Sequence, residues 1–404
     1  MVNFQFLSGL NTIGANILDI QSDSGRVIFD YGEIMNPELG RLPEWGNPIE
    51  KTAIFVSHLH IDHIGSFSQV PQEVPIYMSK DSYELYHLLL EIEEEKPIQA
   101  EVYPLDCGET KTIGDIKVTF KQSDHDIEGI SSIFIETPDM KLINSGDVRL
   151  TGNNPENVKQ WVKEAQTFEP DIFLLEGTSY SFDDKAVENI SEKRMYNKWQ
   201  ELVNQNSQEA ILVNTYIRDT KRLQNLSKIV SESPRKMVLE PEFAYLLEEY
   251  LYYSNFYVLK ELDSNERFKE QWVGVVDIKQ NPGDYVVQNS FKNKSLIPLF
   301  KQGFYCHSNG EPLGDYDPAY QVLEKILQDN ELIFLNFNVS GHATRADLIS
   351  IAKEVGATYT IPWHSLHPEL LKDALEKAGL KTFLPEREIN YSFEKLNQNV
   401  KNEE

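Results

Sequence analysis

The sequence predicts an α/β protein, and two features of the 404-residue chain indicate this class. In the first third, short apolar runs such as Arg26 to Asp30 and Ala53 to Ser57 alternate with turn residues, as β-strands do. From about residue 182, long polar helical segments alternate with isolated strands such as Ile211 to Asn214. Strands separated by helices favour a parallel sheet covered by helices. We therefore expect a strand-rich part followed by a parallel α/β part.

The individual elements follow from local periodicity and from their bounding residues. Asp81 to Glu95 places apolar residues at helical spacing and precedes Pro97, which predicts an amphipathic helix. After Glu331 the pattern predicts a strand, a helix and a strand. The remaining predicted strands are 15–20, 116–120, 132–135, 141–143 and 285–288, and the remaining predicted helices are 184–205, 220–232 and 242–252.

The composition excludes several classes of protein. A net charge of −26 argues against adhesion to nucleic acid through a broadly basic surface. No stretch is apolar for the roughly 18 residues that a membrane span needs, and no signal peptide is expected at the N-terminus. Cys107 and Cys306 have no CxxC partner, so a disulfide framework is not expected. These features predict a cytoplasmic globular protein.

The run Ser57-His58-Leu59-His60-Ile61-Asp62-His63 is the strongest chemical signal in the chain. His58 and His60 alternate at the end of an apolar strand, so both side chains can point to one side. Asp62 and His63 follow at once, where a helix can begin. Three imidazoles and a carboxylate form a nitrogen and oxygen ligand set that suits zinc or a similar divalent ion.

Two further candidate ligands follow later predicted strands. His125 comes after the strand that ends at Phe120, and Asp147 comes after the strand 141–143. Ligands at successive strand ends cluster at one edge of a sheet, so we expect both to join the histidine run.

The ordered set His58, His60, Asp62, His63, His125 and Asp147 resembles that of the metallo-β-lactamase superfamily. This resemblance implies an αββα sandwich with two metal ions. His58, His60 and His125 would hold one ion, Asp62 and His63 the other, and Asp147 would bridge them.

Three later segments resemble the acidic motif A, the motif B and the motif C of the β-CASP branch of that superfamily. They are Leu174 to Thr178 with Glu176, Val339 to Ala343 with His342, and Ile361 to His364 with His364. His364 would complete the shell of the second ion. The implied fold is an α/β metallo-β-lactamase sandwich carrying an inserted α/β β-CASP domain. Its expected parts are 1–180 and 332–397 for the sandwich, 181–331 for the insert and 398–404 for a polar tail.

The resemblance implies a two-metal phosphodiester hydrolase. The 22-residue spacing from His342 to His364 resembles that of ribonuclease J, which implies a ribonuclease of that type. Zinc is the expected metal, with manganese as the alternative. Asp62, Glu176 and His342 are the expected catalytic residues, where Glu176 would hold His342 in one tautomer. A small-molecule metallo-hydrolase, such as a lactonase, thioesterase or cyclic-nucleotide phosphodiesterase, is the alternative function.

RNA is the expected partner, and a homodimer is left open. We expect the C-terminal dimerisation domain of ribonuclease J to be missing. The acidic stretch Lys236 to Glu242 replaces the 5′-phosphate pocket of that family, which argues against 5′-phosphate dependence. The candidate substrate contacts are Arg218, His307, Ser308, Ser340 and His342, with a structural turn as the other interpretation of the segment from His307.

Overall fold

The structure is a computed structural model, and it describes residues 2–34, 42, 45, 51–182, 190–205, 208–314, 317–394 and 396. The chain divides into two compact units. The first comprises residues 1–189 and 341–404, and the second comprises residues 190–340. The expected polar tail 398–404 lies outside the described residues.

The first unit contains two six-stranded sheets within its described residues. In spatial order the first sheet is β1 (Asn3–Ser8), β2 (Ile17–Gln21), β3 (Arg26–Phe29), β4 (Thr52–Phe55), β5 (Ile76–Ser79) and β6 (Val102–Leu105). In spatial order the second sheet is β19 (Tyr359–Trp363), β11 (Ile172–Glu176), β10 (Lys141–Asn144), β9 (Ser131–Glu136), β8 (Ile116–Gln122) and β7 (Thr110–Ile113).

The two sheets face each other across one apolar core. Phe4, Leu18 and Phe55 of the first sheet share this core with Phe120 and Leu174 of the second. Burying this apolar area is the main favourable contribution to folding, at about 25 cal/mol for each Å² removed from water. The sandwich is therefore held together by the inward faces of both sheets.

Helices cover the outer face of the second sheet. Strand β11 is buried on both sides, so Ile172 and Leu174 face the inter-sheet core while Phe173 and Leu175 face the helices. This double burial explains why the strand is continuously apolar. The helices of the first unit are α1 (Ile61–Ile64), α2 (Lys80–Glu91), α3 (Pro155–Phe168), α9 (Arg345–Val355) and α10 (Pro368–Lys377).

The second unit contains a seven-stranded sheet whose paired strands are all parallel. In spatial order it is β15 (Trp272–Val273), β14 (Tyr257–Leu259), β13 (Lys236–Leu239), β16 (Tyr285–Gln288), β12 (Ile211–Thr215), β17 (Phe304–Ser308) and β18 (Ile333–Asn336). Its helices are α4 (Glu192–Asn204), α5 (Thr220–Ser231), α6 (Pro241–Leu251), α7 (Val275–Gln280) and α8 (Pro318–Asp329).

Apolar cores lie on both faces of this parallel sheet. Val213 packs with Trp199 and Leu226 on one face, and Leu212 packs with Leu323 on the other. The predicted α/β class and the αββα sandwich are thus confirmed. The bounds proposed for the insert and its assignment as a β-CASP domain stay predictions. No helix among the described residues combines the length and apolar character needed to cross a membrane.

Candidate metal centre

The candidate residues of the first unit lie where strands of both sheets end. Strands β8, β10, β11 and β19 run in one direction, because β8 and β10 are each antiparallel to β9 while β10, β11 and β19 are mutually parallel. Their carboxyl ends therefore meet at one edge of the sheet. The loop after β4 supplies His58 and His60, helix α1 supplies Asp62 and His63, and the other strand ends supply His125, Asp147, Glu176 and His364.

The first group of candidate ligands comprises His58, His60, His125 and Asp147. Nδ1 of His60 lies 3.1 Å from Nε2 of His58 and 3.2 Å from Nε2 of His125. Oδ2 of Asp147 lies 3.5 Å from each of those two Nε2 atoms. Four donor atoms therefore face a common point from three separate loops.

The second group comprises Asp62, His63, His364 and again Asp147. Oδ2 of Asp62 lies 2.9 Å from Nε2 of His364 and 3.6 Å from Nε2 of His63. Asp147 reaches His63 through Oδ2 at 3.6 Å and Nδ1 of His364 through Oδ1 at 3.5 Å. The Asp147 carboxylate is common to both groups, in the position expected of a bridging ligand.

A buried carboxylate, Asp30, orients two of these histidines. Its oxygens accept the Ser57 amide at 2.7 Å, the Ser57 hydroxyl at 2.9 Å and Nδ1–H of His63 at 2.8 Å. The Ser57 hydroxyl in turn lies 3.0 Å from Nδ1 of His58. Because a carboxylate only accepts, His63 carries a proton on Nδ1. The Ser57 hydroxyl donates to Asp30 and can therefore accept Nδ1–H of His58, so Nε2 of both rings is directed into the site.

Two more histidines of these groups, His125 and His364, also have partners for their second nitrogen. Nδ1–H of His125 donates to the carbonyl oxygen of Gly341. Nδ1 of His364 lies 2.8 Å from the Thr178 hydroxyl oxygen. Partners of this kind fix the tautomer and the ring orientation of metal-binding histidines.

Two residues of the centre adopt the left-handed backbone region. Asp30 has φ of 57° and His364 has φ of 48°. Such conformations cost a non-glycine residue about 1–3 kcal/mol and persist only where the surroundings impose them. Each residue leaves a buried strand in this conformation, which turns its side chain toward the other site residues.

Burial and neighbouring charges shift the pKa values of the histidines and the carboxylates in the two groups. Burial lowers the pKa of His58 well below its ordinary value, that of His60 to about 4, and that of His125 below its ordinary value. Against the effect of burial, the charge of His63 holds the pKa of Asp62 below its usual range. Against the effect of burial, Asp62 and Asp30 hold the pKa of His63 well above its ordinary value. A metal ion binds neutral imidazoles and ionised carboxylates, so His63 must lose a proton when an ion binds there.

The donor set fits divalent ions in both groups. The inward nitrogen atoms of His58, His60 and His125 lie 3.1–3.2 Å apart in two pairs, and two lone pairs at that distance repel. Ligand atoms that each lie about 2.0–2.2 Å from the same ion are separated from one another by about 3 Å. A bound ion would replace the repulsion by coordination, so the centre is suited to divalent metal ions.

His342 and Glu176 form a pair of side chains beside the two ligand groups. Nδ1 of His342 lies 3.3 Å from Oε1 of Glu176, whose Oε2 accepts the amide of Thr178 at 2.8 Å. Although burial opposes it, the Glu176 carboxylate raises the pKa of His342 to about 9. His342 is therefore held as a cation by a fully buried carboxylate.

The remaining predicted contact residues belong to the second unit. His307 and Ser308 lie at the end of β17 and are buried. The His307 ring nitrogens lie 2.9 Å from Oδ1 of Asn338 and 3.0 Å from the carbonyl oxygen of Pro312. Arg218 is buried after β12, and Ser340 is exposed at the end of the unit. Their contact with a substrate stays a prediction.

The acidic stretch Lys236 to Glu242, where no phosphate pocket is expected, has internal hydrogen-bond partners. Glu240 is buried and accepts the amide of Ser290 at 2.7 Å and its hydroxyl at 2.6 Å. Burial raises the pKa of Glu240. This carboxylate thus ties the end of β13 to the end of β16.

Sequence reasoning did not identify Asp30, Thr178 or Asp126 as parts of the centre. The sequence around Asp30 gave only a weak indication of a site residue. Asp30 directly follows a buried strand, and Asp147 follows its own strand three residues later. Thr178 lies two residues after Glu176, inside the segment that had been singled out. Asp126 follows His125 directly, and its Oδ1 lies 3.1 Å from Nε2 of that histidine.

Comparison with known proteins agrees with this geometry. Residues 33–201 match the beta-lactamase superfamily domain. This match covers the first part of the chain and supports its resemblance to the metallo-β-lactamase superfamily. The match includes the His58 to His63 run, His125, Asp147 and Glu176, while His342 and His364 lie beyond it.

Several relatives are similar over more of the chain. Ribonuclease J of Mycoplasma genitalium is 22% identical over 96% of this chain and 74% of its own length. Ribonuclease J of Pyrococcus abyssi is 21% identical over 90% of each protein. A crystal structure of a protein of unknown function from Enterococcus faecalis superposes with a TM-score of 0.81 at 26% identity, covering 96% of this chain and 99% of that one. The chain is therefore similar to ribonuclease J, as the sequence motifs had indicated.

Proposed function

We propose that this chain is a metal-dependent ribonuclease that hydrolyses phosphodiester bonds at the candidate metal centre. The observation that carries the proposal is the pair of ligand groups joined by Asp147, with the His342–Glu176 pair beside them. Relatives named ribonuclease J, similar over at least 90% of this chain, support RNA as the substrate.

The proposed metal content is two divalent ions, with zinc first and manganese as the alternative. His58, His60 and His125 would hold one ion, Asp62, His63 and His364 the other, and Asp147 would bridge them. Two ions in such a site supply Lewis-acid chemistry, since they polarise a phosphoryl oxygen and lower the pKa of water.

The residues of the chain supply orientation and proton transfer. The Thr178 hydroxyl oxygen, 2.8 Å from Nδ1 of His364, can accept Nδ1–H and so keeps Nε2 of that ring directed at the second group. His342, with its pKa at about 9, is protonated at neutral pH and can give a proton to the leaving oxygen of the scissile phosphate. Glu176 keeps the positive charge on His342 where negative charge develops on the phosphate.

The decisive experiment compares RNA with small substrates. Metal-loaded wild type is incubated with 5′-labelled linear RNA, circular RNA, a cyclic nucleotide and a small ester, beside Asp62→Ala. We expect cleavage of RNA by the wild type and none by the variant, because Asp62 belongs to the second ligand group. Cleavage of circular RNA identifies endonuclease action, and shortening of linear RNA alone identifies exonuclease action.

A protected RNA together with turnover of the ester or the cyclic nucleotide would contradict the proposal. That result would assign the chain to the small-molecule metallo-hydrolases, which use the same scaffold for other chemistry. Asp115→Asn is the matched control, since Asp115 lies on the surface of the same unit and bonds Ser22.

A further inference from the structure

Asp126 places a carboxylate against the first ligand group without belonging to it. Its Oδ1 lies 3.1 Å from Nε2 of His125 and 3.7 Å from Nε2 of His60. The backbone of Gly341 packs on the carboxylate so closely that a Cβ there would lie 2.7 Å from both oxygens. The Asp126 side chain is 16% exposed, so it lines the open side of the centre.

His60 differs from the other histidines of the first group in how its ring is held. Its Nδ1 points inward, toward His58 and His125, so its outward nitrogen is Nε2. The His60 side chain is 17% exposed, against 0% for His58 and 1% for His125. Among the three histidines of the first group, His60 is held least by packing. The orientation of its ring therefore depends more on a polar partner than that of the other two rings does.

The protonation of the His125 and His60 rings decides which of them can donate a hydrogen bond to Asp126. Nδ1–H of His125 donates to Gly341, so a neutral His125 has a lone pair at Nε2, and a carboxylate forms no bond with a lone pair. His60, by contrast, must carry its proton on Nε2 when Nδ1 binds an ion. The 3.7 Å separation exceeds a direct hydrogen bond but fits one bridging water or a small rotation of the carboxylate.

We propose that Asp126 is a positioning residue for the first ligand group. Its carboxylate accepts the outward Nε2–H of His60, which keeps Nδ1 of His60 turned toward the ion. Carboxylate partners of this kind also strengthen the histidine as a ligand. The inference rests on the metal-binding part of the proposed function and is independent of which substrate is hydrolysed.

Metal affinity tests this role without relying on turnover. Metal-free wild type, Asp126→Ala, Asp126→Asn and Glu128→Ala are titrated with Co²⁺, and visible absorbance and stoichiometry are recorded. We expect Asp126→Ala to weaken one of the two binding steps about 10–100-fold, as the loss of such a partner does elsewhere. Asp126→Asn keeps a neutral acceptor and should lie between that variant and the wild type. Glu128→Ala removes an equal charge from the same loop and should titrate like the wild type.

Melting temperatures of the metal-free proteins separate positioning from a purely structural role. A positioning role predicts equal values for all four proteins. Wild-type affinity in Asp126→Ala would overturn the inference while leaving the ribonuclease proposal intact. A lower melting temperature in Asp126→Ala, with wild-type affinity in Asp126→Asn, would also overturn it. Failure of the wild type to bind Co²⁺ would reject the proposed metal centre and this inference with it.

Discussion

At the scale of single residues, the candidate metal centre contains, besides the candidate ligands, side chains that orient them. Asp30 is fully buried and accepts three hydrogen bonds, two from Ser57 and one from His63. Through the Ser57 hydroxyl it also reaches His58. One carboxylate therefore contacts, directly or through Ser57, a candidate ligand in each of the two groups.

Substituting Asp30 tests this arrangement. Asp30→Asn keeps the shape but replaces one acceptor oxygen by a donor. Either the Ser57 amide loses its acceptor, or the Ser57 hydroxyl and Nδ1 of His63 both lose theirs. We expect a loss of about 1–3 kcal/mol in unfolding free energy and about 10–100-fold in metal affinity. Denaturant titration and equilibrium dialysis measure the two effects. Glu136→Gln, which breaks an exposed pair with Lys117, should cost less than about 1 kcal/mol and leave metal binding unchanged.

His342 gives a second prediction at this scale. It bonds Glu176 and lies outside the two ligand groups that share Asp147. His342→Ala should therefore lower kcat about 10²–10⁴-fold while the protein retains its metal ions. Steady-state kinetics and elemental analysis on the same samples check both statements. His87→Ala changes an exposed histidine of helix α2 and should leave kcat unchanged. Full turnover by the His342 variant would remove it from the mechanism.

The ligand residues were accessible to sequence reasoning because each directly follows a recognisable apolar strand or lies in the His58 to His63 run. Their metal role and the catalytic roles stay predictions, although the structure brings all seven candidates together. Asp30 was not accessible, because a single aspartate after a strand is common in turns. Only the packing of β3 beside β4 shows that it lies under Ser57.

At the scale of elements, the short helix α1 is held by backbone contacts from two directions. The carbonyl oxygen of Asp62 accepts the amide of Asn16 at 3.0 Å, and that of His63 accepts the amide of Tyr31 at 2.7 Å. Gly32 lies so close that an added Cβ would collide with the Asp62 carbonyl. A four-residue helix has little stability of its own, so these contacts set the positions of Asp62 and His63.

Gly32→Ala tests the role of this close approach. The methyl group must displace the backbone of α1, because the colliding atom is a carbonyl oxygen and not a flexible side chain. We expect a destabilisation of about 1–3 kcal/mol, typical of overpacking, and weaker binding in the group that contains Asp62 and His63. Gly274→Ala is the control, since a Cβ there meets nothing closer than 3.3 Å. Equal stability of the two variants, measured by thermal unfolding, would show that the loop yields at little cost.

One strand of the second unit was not predictable from its sequence pattern. The alternation of helices and strands correctly predicted a parallel sheet, but His307 and Ser308 were assigned to a polar segment and lie in strand β17. The strand continues because both neighbouring strands pair with it. Pairing with β18 extends to His307, and pairing with β12 extends to Ser308. Pairing with strands distant in sequence is not encoded in local composition.

At the scale of the whole molecule, each unit has apolar cores of its own. The candidate metal ligands all belong to the first unit, whose sheets share one core. The second unit buries both faces of its parallel sheet with residues from within 190–340. Bound metal should therefore stabilise the first unit specifically, because ligand binding stabilises only the folded part that contains the site.

Calorimetry of the full chain tests this separation. We expect two unfolding transitions, of which one shifts upward when metal is added and downward with a chelator. At a free metal concentration 100 times Kd, the gain is about 2.7 kcal/mol for each ion. Leu174→Ala, in the core between the sheets, should lower the metal-sensitive transition, and Leu226→Ala, in the second unit, should lower the other. Each truncation is expected to cost about 2–5 kcal/mol. A single transition that shifts as a whole with metal, and with either variant, would show that the two units unfold as one cooperative structure.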